Sequence, residues 1–263
     1  MKSGRKSSSV DKAFELISAV SGSGQSGMTL GELAAHTGVA VSTAHRYAIS
    51  LLELGVLERD ATGAFRLGVT LITLAGRYLE EDGLRAAAQP YLAELVEISG
   101  ETVHLGVPVG QHIVYVDKVE SAKSVRLVSR IGSRVPLHCT AMGKAVLAFL
   151  DEPRRAEILA VRTEPRTPRS LTGDALLAEL DTVRDQGFAI DDEENEEGVR
   201  CIGLPIMNAS GRPVGAFSVS APAGRFSVGD CHRLAPVALG MAADIGRRIG
   251  YAAPRAPRAR KPA

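Results

Sequence analysis

Apolar residues recur every three or four positions over three successive segments of the first 54 residues, which predicts three short helices. Ser9 precedes the first helix, whose predicted apolar positions are Val10, Ala13, Phe14, Ile17 and Val20. The second opens with Thr29 and Glu32, a spacing typical of a capping box that satisfies two backbone N–H groups. Gly38 then favours a tight turn with positive φ before the third helix, which we expect to run to about Leu54.

A β-hairpin follows the third helix. Residues 54–59 and 64–68 alternate apolar and polar side chains, and they are separated by a turn that ends with Gly63. Three helices followed by two short strands predict a winged helix-turn-helix over residues 9–68.

The third helix is amphipathic, and its polar face is small and rich in hydrogen-bond donors, as insertion into a DNA major groove requires. Ala44, Ala48, Leu51 and Leu52 occupy the opposite, inward face. Two arginines of the hairpin are placed to meet phosphates. The predicted contacts with double-stranded DNA are Ser42, Thr43, His45, Arg46, Tyr47, Ser50, Arg59 and Arg66.

After the hairpin, the spacing of apolar residues first becomes helical again and later alternates as in strands. Residues 69–80 form an amphipathic helix, and we expect residues 69–83 to be a linker helix or a dimer contact. Helical spacing returns over residues 84–98, with an irregularity expected at Pro90. Beyond Glu101 the pattern predicts helices over residues 139–150, 172–186 and 227–249, and strands over residues 102–109, 112–120, 125–130, 188–191, 199–207 and 214–220. This mixture predicts an α+β domain over residues 84–250.

Composition limits the kinds of partner. The 263 residues carry a net charge of +1, and the first 70 contain seven basic and six acidic residues. DNA affinity must therefore come from locally placed side chains and from more than one binding unit. Tryptophan is absent and aromatic residues make up 4%, which disfavours stacking platforms for single strands.

Neither a disulfide framework nor a membrane segment is predicted. Cys139, Cys201 and Cys231 are widely spaced, and no run of 18 apolar residues or secretory signal occurs, so we expect a cytoplasmic protein. Residues 1–8 and residues 251–263 are basic, and we expect both to be disordered.

The second domain lacks a strong catalytic motif, because no Gly-x-Ser-x-Gly elbow occurs. The segment that ends in Lys144 is similar to the end of a P-loop, but His138 and Ala145 replace its required Gly and Ser/Thr. We predict no metal or cofactor. Zinc binding by His104, His138 and Cys201 is an alternative, although packing in a core or pocket wall is more common for such residues.

Four polar residues are predicted to line a pocket. Asp191 ends a strand at the head of the acidic run 191–197, most of which we expect to be a solvated loop. Cys201 begins the next strand, and Ser218 and Ser220 lie on the same side of a third. Such a pocket suits a compact organic ligand. An enzyme with His138 as the nearest base is the alternative, and the missing nucleophile motif argues against it.

Several motifs, in the same order, resemble those of IclR-type bacterial transcriptional regulators between Val10 and Ile249. They are LGELAAHTG at 30–38, STAHR at 42–46, FRLG at 65–68, GETVHL at 100–105, LHCTAMGKA at 137–145, and GFAIDDEE at 187–194 followed by GVRCI at 198–202. The resemblance implies an N-terminal winged helix-turn-helix and a C-terminal GAF-like effector-binding domain. It also implies a homodimer or dimer of dimers that binds operator DNA under control of a small organic, aromatic or sugar acid.

The resemblance assigns the effector pocket to Val135, Ala141, Met142, Asp191, Cys201, Ser218 and Ser220. The chain departs from the family in two places. Ala40 and Val41 stand where many members have Pro-Lys, which removes one phosphate contact that Lys2, Arg5 and Lys6 can replace. Met142 stands where some members have a smaller residue, which narrows the pocket.

Overall fold

The computed structural model describes residues 8–81, 83–161 and 164–249. It divides into two compact units between Glu81 and Asp82. The predicted basic tail, residues 251–263, and all of the predicted basic arm except Ser8 lie outside the described residues.

The first unit is a winged helix-turn-helix, as the sequence predicts. A two-stranded antiparallel hairpin, β1 and β2, forms the wing. The elements are α1 (Ser9–Gly22), a 3-10 turn (Gly24–Ser26), α2 (Leu30–Thr37), α3 (Val41–Glu53), β1 (Leu57–Arg59), β2 (Phe65–Leu67) and α4 (Thr70–Glu81).

Local signals in α2 are confirmed. The Thr29 backbone N–H donates to Glu32 Oε2 at 2.8 Å, and the Glu32 N–H donates to the Thr29 hydroxyl at 3.3 Å. Gly38 ends the helix at φ 65°, a conformation that glycine adopts without steric cost. The helix-turn-helix is therefore fixed at both ends of α2 by short-range chemistry.

The apolar side of α1 differs from the prediction. Leu16, Ala19 and Val20 are buried against the other helices, whereas Val10 and Phe14 are each 64% exposed. Helical spacing identifies residues that share a face, but it does not say how much of that face the neighbouring elements cover. The N-terminal half of α1 thus carries uncovered apolar surface within this unit.

The second unit is built on a six-stranded antiparallel sheet with the order β5-β4-β3-β8-β7-β6. Helices pack on both of its faces, which confirms the α+β class. The elements are α5 (Gly83–Ser99), β3 (Thr102–Val109), β4 (His112–Val119), β5 (Arg134–Pro136), α6 (Ala141–Phe149), α7 (Glu152–Leu159), α8 (Gly173–Gln186), β6 (Ala189–Asp192), β7 (Val199–Met207), β8 (Pro213–Pro222) and α9 (Val228–Arg248).

The two faces of this sheet differ in chemistry. On β8, Phe217 and Val219 belong to the apolar core that α5 and α9 cover. Ser218 and Ser220 alternate with them and therefore point to the opposite face, where α6 packs. Both serines are buried, at 3% and 4% exposure, so this face is an interior surface rather than a solvated one.

Parts of the predicted secondary structure are wrong. Residues 125–130 form no strand, because the Val125 carbonyl accepts from Arg225 (2.7 Å) and the Ser129 carbonyl accepts from Lys118 (2.5 Å). The edge of β4 is instead paired with β5. This strand is only three residues long, so its sequence shows no clear alternation of apolar and polar residues. The prediction also missed α7, and α5 continues through Pro90 as a single helix.

Substituting Gly203 by alanine should destabilise the second unit. A Cβ at this position would lie 2.3 Å from the backbone carbon of Ala141, so α6 would have to move away from β7. We expect a loss of about 1–3 kcal/mol or more in the free energy of unfolding, measured by urea denaturation. The matched control is Gly240→Ala in α9, where an added Cβ meets nothing within 4 Å and should stabilise by about 0.5–1 kcal/mol. Equal effects of the two substitutions would contradict the close approach.

Candidate functional site

A cavity of about 240 Å³ lies on the polar face of the six-stranded sheet. All seven residues assigned by the family resemblance lie on its wall: Val135, Ala141, Met142, Asp191, Cys201, Ser218 and Ser220. The sequence reasoning missed further lining residues, among them Tyr115, Thr140 and Asn195, and it considered His104 only as a zinc ligand. Strand alternation held a signal for His104, because its neighbours Val103 and Leu105 are apolar and face the core on the other side of β3.

Strand register brings the polar side chains together. Asp191 is paired with Cys201, and Cys201 is paired with Ser220 on the next strand. Ser218 is paired with His104 on β3. Residues that face each other across antiparallel strands point to the same side of the sheet. The five side chains consequently form one continuous polar patch.

Hydrogen bonds link part of this patch into a chain. The hydroxyl oxygens of Ser218 and Ser220 are 3.3 Å apart, and Ser220 Oγ lies 3.4 Å from His104 Nδ1. On the other side of the ring, His104 Nε2 lies 2.8 Å from Ser129 Oγ. The imidazole also stacks on Tyr115, with ring centroids 4.7 Å apart. These contacts hold the imidazole in one position.

His104 is a neutral side chain near pH 7. Burial, together with the nearby positive charge of Lys118, lowers the pKa of His104 to about 4. A neutral imidazole has one donor nitrogen and one acceptor nitrogen. His104 can therefore present either to a hydroxyl partner.

Asp191 is the buried carboxyl of the cavity, at 2% exposure. Its Oδ1 accepts backbone N–H groups from Glu194 (2.8 Å) and Asn195 (3.3 Å). Burial nevertheless raises the pKa of Asp191 to about 7, and the Glu194 carboxylate adds to the effect. Burial, with Asp191 nearby, also raises the pKa of the Cys201 thiol well above its usual value, so Cys201 is not a thiolate nucleophile.

The N-terminus of α6 forms another part of the wall through Ala141 and Met142. Thr140 caps this helix, accepting the Gly143 N–H at 3.1 Å and donating to the Pro136 carbonyl at 2.6 Å. A helix N-terminus presents N–H groups and a partial positive charge, which favours an anionic ligand group.

Lys144 is a functional residue of a different kind. It is fully buried, and its Nζ donates to Glu179 Oε1 (3.0 Å), to the Ile190 carbonyl (2.6 Å) and to Glu194. Glu194 is only 4% exposed, so the expectation of a solvated loop is wrong for this member of the acidic run. Because buried charges are stable only when paired, Lys144 fixes the loop that carries Asp191.

The alternative sites considered from the sequence are not assembled. His138 does not line the cavity, and its ring donates to the backbone carbonyl of Glu164. The zinc site considered from the sequence therefore lacks its third ligand, because His138 does not join His104 and Cys201 at the cavity. In the part of the chain that the structure describes, no group of three or more His, Cys, Asp or Glu side chains is placed to hold a metal ion.

The predicted DNA-contact residues lie on α3 and on the wing. Ser42, His45, Arg46 and Ser50 are exposed on α3, and Thr43 is half-buried. Tyr47 is also half-buried; the Ser9 hydroxyl donates to it from α1, which lowers the pKa of Tyr47. Tyr47 thus packs within the domain instead of projecting from it.

Both wing arginines have partners within the wing. The guanidinium of Arg59 lies 4.8 Å from the centroid of the Phe65 ring. Arg66 Nε donates to Asp60 Oδ2 at 2.9 Å. These contacts hold both cationic groups on the hairpin that follows α3. Across the described ranges, no helix combines the length and apolar character needed to cross a membrane.

Replacement of Asp191 by asparagine should change how stability depends on pH. Since burial raises the pKa of Asp191 to about 7, the fold favours its protonated form. The associated stability of the wild type is complete below the unfolded pKa and is lost as pH rises through about 7. An asparagine side chain cannot ionise, but it keeps an oxygen acceptor for the two N–H groups.

Relative to the wild type, the free energy of unfolding of D191N should therefore increase by on the order of a few kcal/mol as pH rises from about 4 to about 7, and the increase should level off above that. Urea denaturation at several pH values measures this difference. Asp174→Asn, at an exposed position in the first turn of α8, is the control for loss of one carboxylate. A difference that stays constant with pH would contradict a raised pKa at Asp191.

Comparison with known proteins identifies both units. The family model of the IclR helix-turn-helix domain matches residues 9–61, and that of the bacterial transcriptional regulator IclR C-terminal domain matches residues 76–247. The HTH-type transcriptional regulator KdgR of Escherichia coli K12 is 35% identical over 247 residues, which cover 93% of this chain and 93% of KdgR.

Solved structures agree in fold. Thermotoga maritima IclR is 35% identical with a TM-score of 0.73, and the match covers 92% of this chain and 98% of that chain. An IclR homologue from Microbacterium hydrocarbonoxydans, complexed with 4-hydroxybenzoate, is 22% identical with a TM-score of 0.78 and covers 92% and 99% of the two chains. The relatives are transcriptional regulators rather than enzymes, which rules out the enzyme alternative. The chain belongs to the IclR family of bacterial transcriptional regulators.

Proposed function

We propose that this regulator binds operator DNA as a homodimer, or as a dimer of dimers, and that a small acid in the cavity modulates that binding. The observation that carries this proposal is the cavity itself, which collects a buried carboxyl, two hydroxyls, an imidazole and a helix N-terminus on one interior surface. As a regulator of bacterial genes it would act in the cytoplasm, where the chromosome lies.

In this proposal α3 enters the major groove. Ser42, Arg46 and Ser50 are exposed on α3, so their donors are available to base edges and phosphates. Arg59 and Arg66 approach the backbone from the wing. A single winged unit with nearly balanced charge binds DNA weakly, and two linked units gain affinity by effective concentration.

Uncovered apolar side chains support a second copy as the partner of the first unit. Besides Leu54 at the end of α3, the described large apolar residues of this unit with more than 60% exposure lie on α1, on α4 and at the residue that precedes α4. A monomer that leaves such residues exposed on two helices has a surface suited to self-association. They are Val10, Phe14, Val69, Ile72 and Leu74.

The size and polarity of the cavity limit the effector to a compact molecule. At about 240 Å³ it lies near the lower end of ligand pockets, which suits a single ring or a short polyhydroxylated chain. A carboxylate fits at the N-terminus of α6, and a hydroxyl group fits near Ser218, Ser220 and His104. Because Asp191 has a pKa of about 7, it can remain protonated beside an anion.

An effector can change operator affinity only through different affinities for two arrangements of the regulator. Ligand binding and DNA binding are therefore coupled reciprocally, so an effector that weakens operator binding is itself bound less tightly by the DNA complex.

Arg46→Ala should weaken DNA binding. If Arg46 contacts a phosphate, the affinity should fall similarly for all sequences, and the slope of log affinity against log salt should decrease by about 1. If it contacts a guanine edge, sequence preference should relax at one position. Selection from a randomised duplex library, followed by gel-shift titration at several salt concentrations, measures both.

Arg233→Ala is the charge-matched control, since its side chain is 73% exposed on α9 in the other unit. Unchanged affinity, salt slope and sequence preference in the Arg46 variant would contradict the proposed role of α3.

Small acids should raise the thermal stability of the protein, because a ligand that binds only the native state stabilises it by mass action. Suitable probes are 4-hydroxybenzoate and gluconate, with the neutral 4-hydroxybenzamide as the test of the carboxylate. Ser218→Ala should reduce the increase in melting temperature that an acid produces, whereas Ser210→Ala, in an exposed turn, should not.

A hit must then alter gel-shift affinity for the selected duplex. Acids that stabilise the wild type and the Ser218 variant equally, or that leave DNA affinity unchanged, would contradict an effector role for the cavity.

A further inference from the structure

An irregular segment forms part of the cavity wall. Residues 121–133, here called the strap, connect β4 to β5 and contain no helix or strand. Leu127, Val128 and Ser129 in the middle of the strap line the cavity, as does Ser133 near its end. The Val128 side chain is at the same time 87% exposed. The middle of the strap thus contacts both the cavity and the solvent.

Both ends of the strap are firmly attached. At the start, the Ser121 hydroxyl donates to the Gly100 carbonyl (2.6 Å), and Lys123 Nζ donates to the buried Glu101 (2.6 Å). At the far end, the Gly132 N–H donates to the Tyr115 carbonyl (2.7 Å). Opening of the strap would therefore involve its middle.

The middle of the strap is held through Ser129. Its carbonyl accepts from Lys118 Nζ at 2.5 Å, and its hydroxyl lies 2.8 Å from His104 Nε2. Val125 and Ile131, on either side, are 66% and 49% exposed, so apolar burial does little to hold this part down. Polar contacts therefore hold this part of the strap. Arg225 also donates to the Val125 carbonyl (2.7 Å) and Arg126 to Glu120 (3.0 Å), but Ser129 makes the contact that reaches a side chain of the cavity wall.

His104 is suited to fix this contact. The ring is 2% exposed and stacked on Tyr115, so the position of Nε2 is set by the sheet rather than by the strap. A neutral imidazole can donate from Nε2 while Nδ1 accepts from Ser220, or do the reverse. Both tautomers keep the Ser129 bond, whichever way a ligand orients the Ser220 hydroxyl.

We propose that His104 is a positioning residue that holds the strap over the effector cavity through Ser129, so that ligand entry and exit require this hydrogen bond to break. The proposal rests on the proposed function in treating the cavity as a ligand site. The gating itself can be tested without any ligand, because Cys201 lies on the cavity wall.

The test is the rate at which methyl methanethiosulfonate modifies Cys201 in the full-length protein at one fixed alkaline pH, followed by peptide mass spectrometry. Ser129→Ala should accelerate modification of Cys201 about tenfold, the factor expected for one hydrogen bond of ordinary net strength. Ser133→Ala is the matched control, since Ser133 also lines the cavity but is held through its backbone carbonyl, which accepts from Tyr115 at 3.0 Å.

Cys231 provides an internal control for global unfolding. It is fully buried in the apolar core on the other face of the sheet, so its modification rate should not change in either variant. His104→Phe keeps an aromatic ring against Tyr115 but removes the hydrogen bond to Ser129. It should accelerate the modification of Cys201 as much as Ser129→Ala does. The double variant should react no faster than the faster single variant, because both remove the same interaction.

Three outcomes would overturn the proposal: a wild-type rate in Ser129→Ala, equal acceleration in Ser133→Ala, or modification of Cys201 at the Cys231 rate in every variant. The thermal-shift experiment separates this failure from failure of the proposed function. If acids stabilise the protein but Ser129→Ala does not accelerate modification of Cys201, the strap proposal fails and the effector role stands. If Ser129→Ala accelerates modification but no acid stabilises the protein, the effector role fails and the strap proposal stands.

Discussion

The close approach of α6 to β7 is the contact on which the second domain depends. Gly203 of β7 lies directly against the backbone of Ala141, at a separation that leaves no space for a side chain. Gly143 provides a second such position, against the backbone of Leu137. This packing places the N-terminus of α6 at the sheet surface, where it becomes part of the cavity wall. It also carries Lys144 into the interior.

Lys144 then determines the position of the acidic loop. Its ammonium group has no exposure to solvent, and it is satisfied by Glu179, Glu194 and a backbone carbonyl. Removing one partner from a buried ion pair leaves an uncompensated charge, which costs far more than an exposed pair contributes. The loop is therefore held from behind, and Asp191 is held at the cavity by N–H groups from the same loop.

Both faces of the sheet carry an apolar cluster, but only one of them also carries the cavity. One face carries Phe217, Val219 and their neighbours beneath α5 and α9, and the burial of this apolar surface stabilises the domain. The other face has an apolar cluster of its own, in which α6 packs against Ile113, Ala189 and Ala216. Beside that cluster lie the polar side chains of the cavity, which are available to a ligand because the two apolar clusters supply the packing.

Short-range patterns in the sequence determined the winged helix-turn-helix, the Thr29 capping box, the Gly38 turn and the common side of Ser218 and Ser220, since each depends on residues a few positions apart. The motifs of the chain also indicated its family. Only the tertiary structure decided what covers each face: the exposure of Phe14, the burial of Glu194, the position of His104 and the irregular strap. Those features depend on which residues meet from distant parts of the chain, as in the His104–Ser129 pair, 25 residues apart, and the His104–Ser220 pair, 116 residues apart, and local periodicity carries no information about such partners.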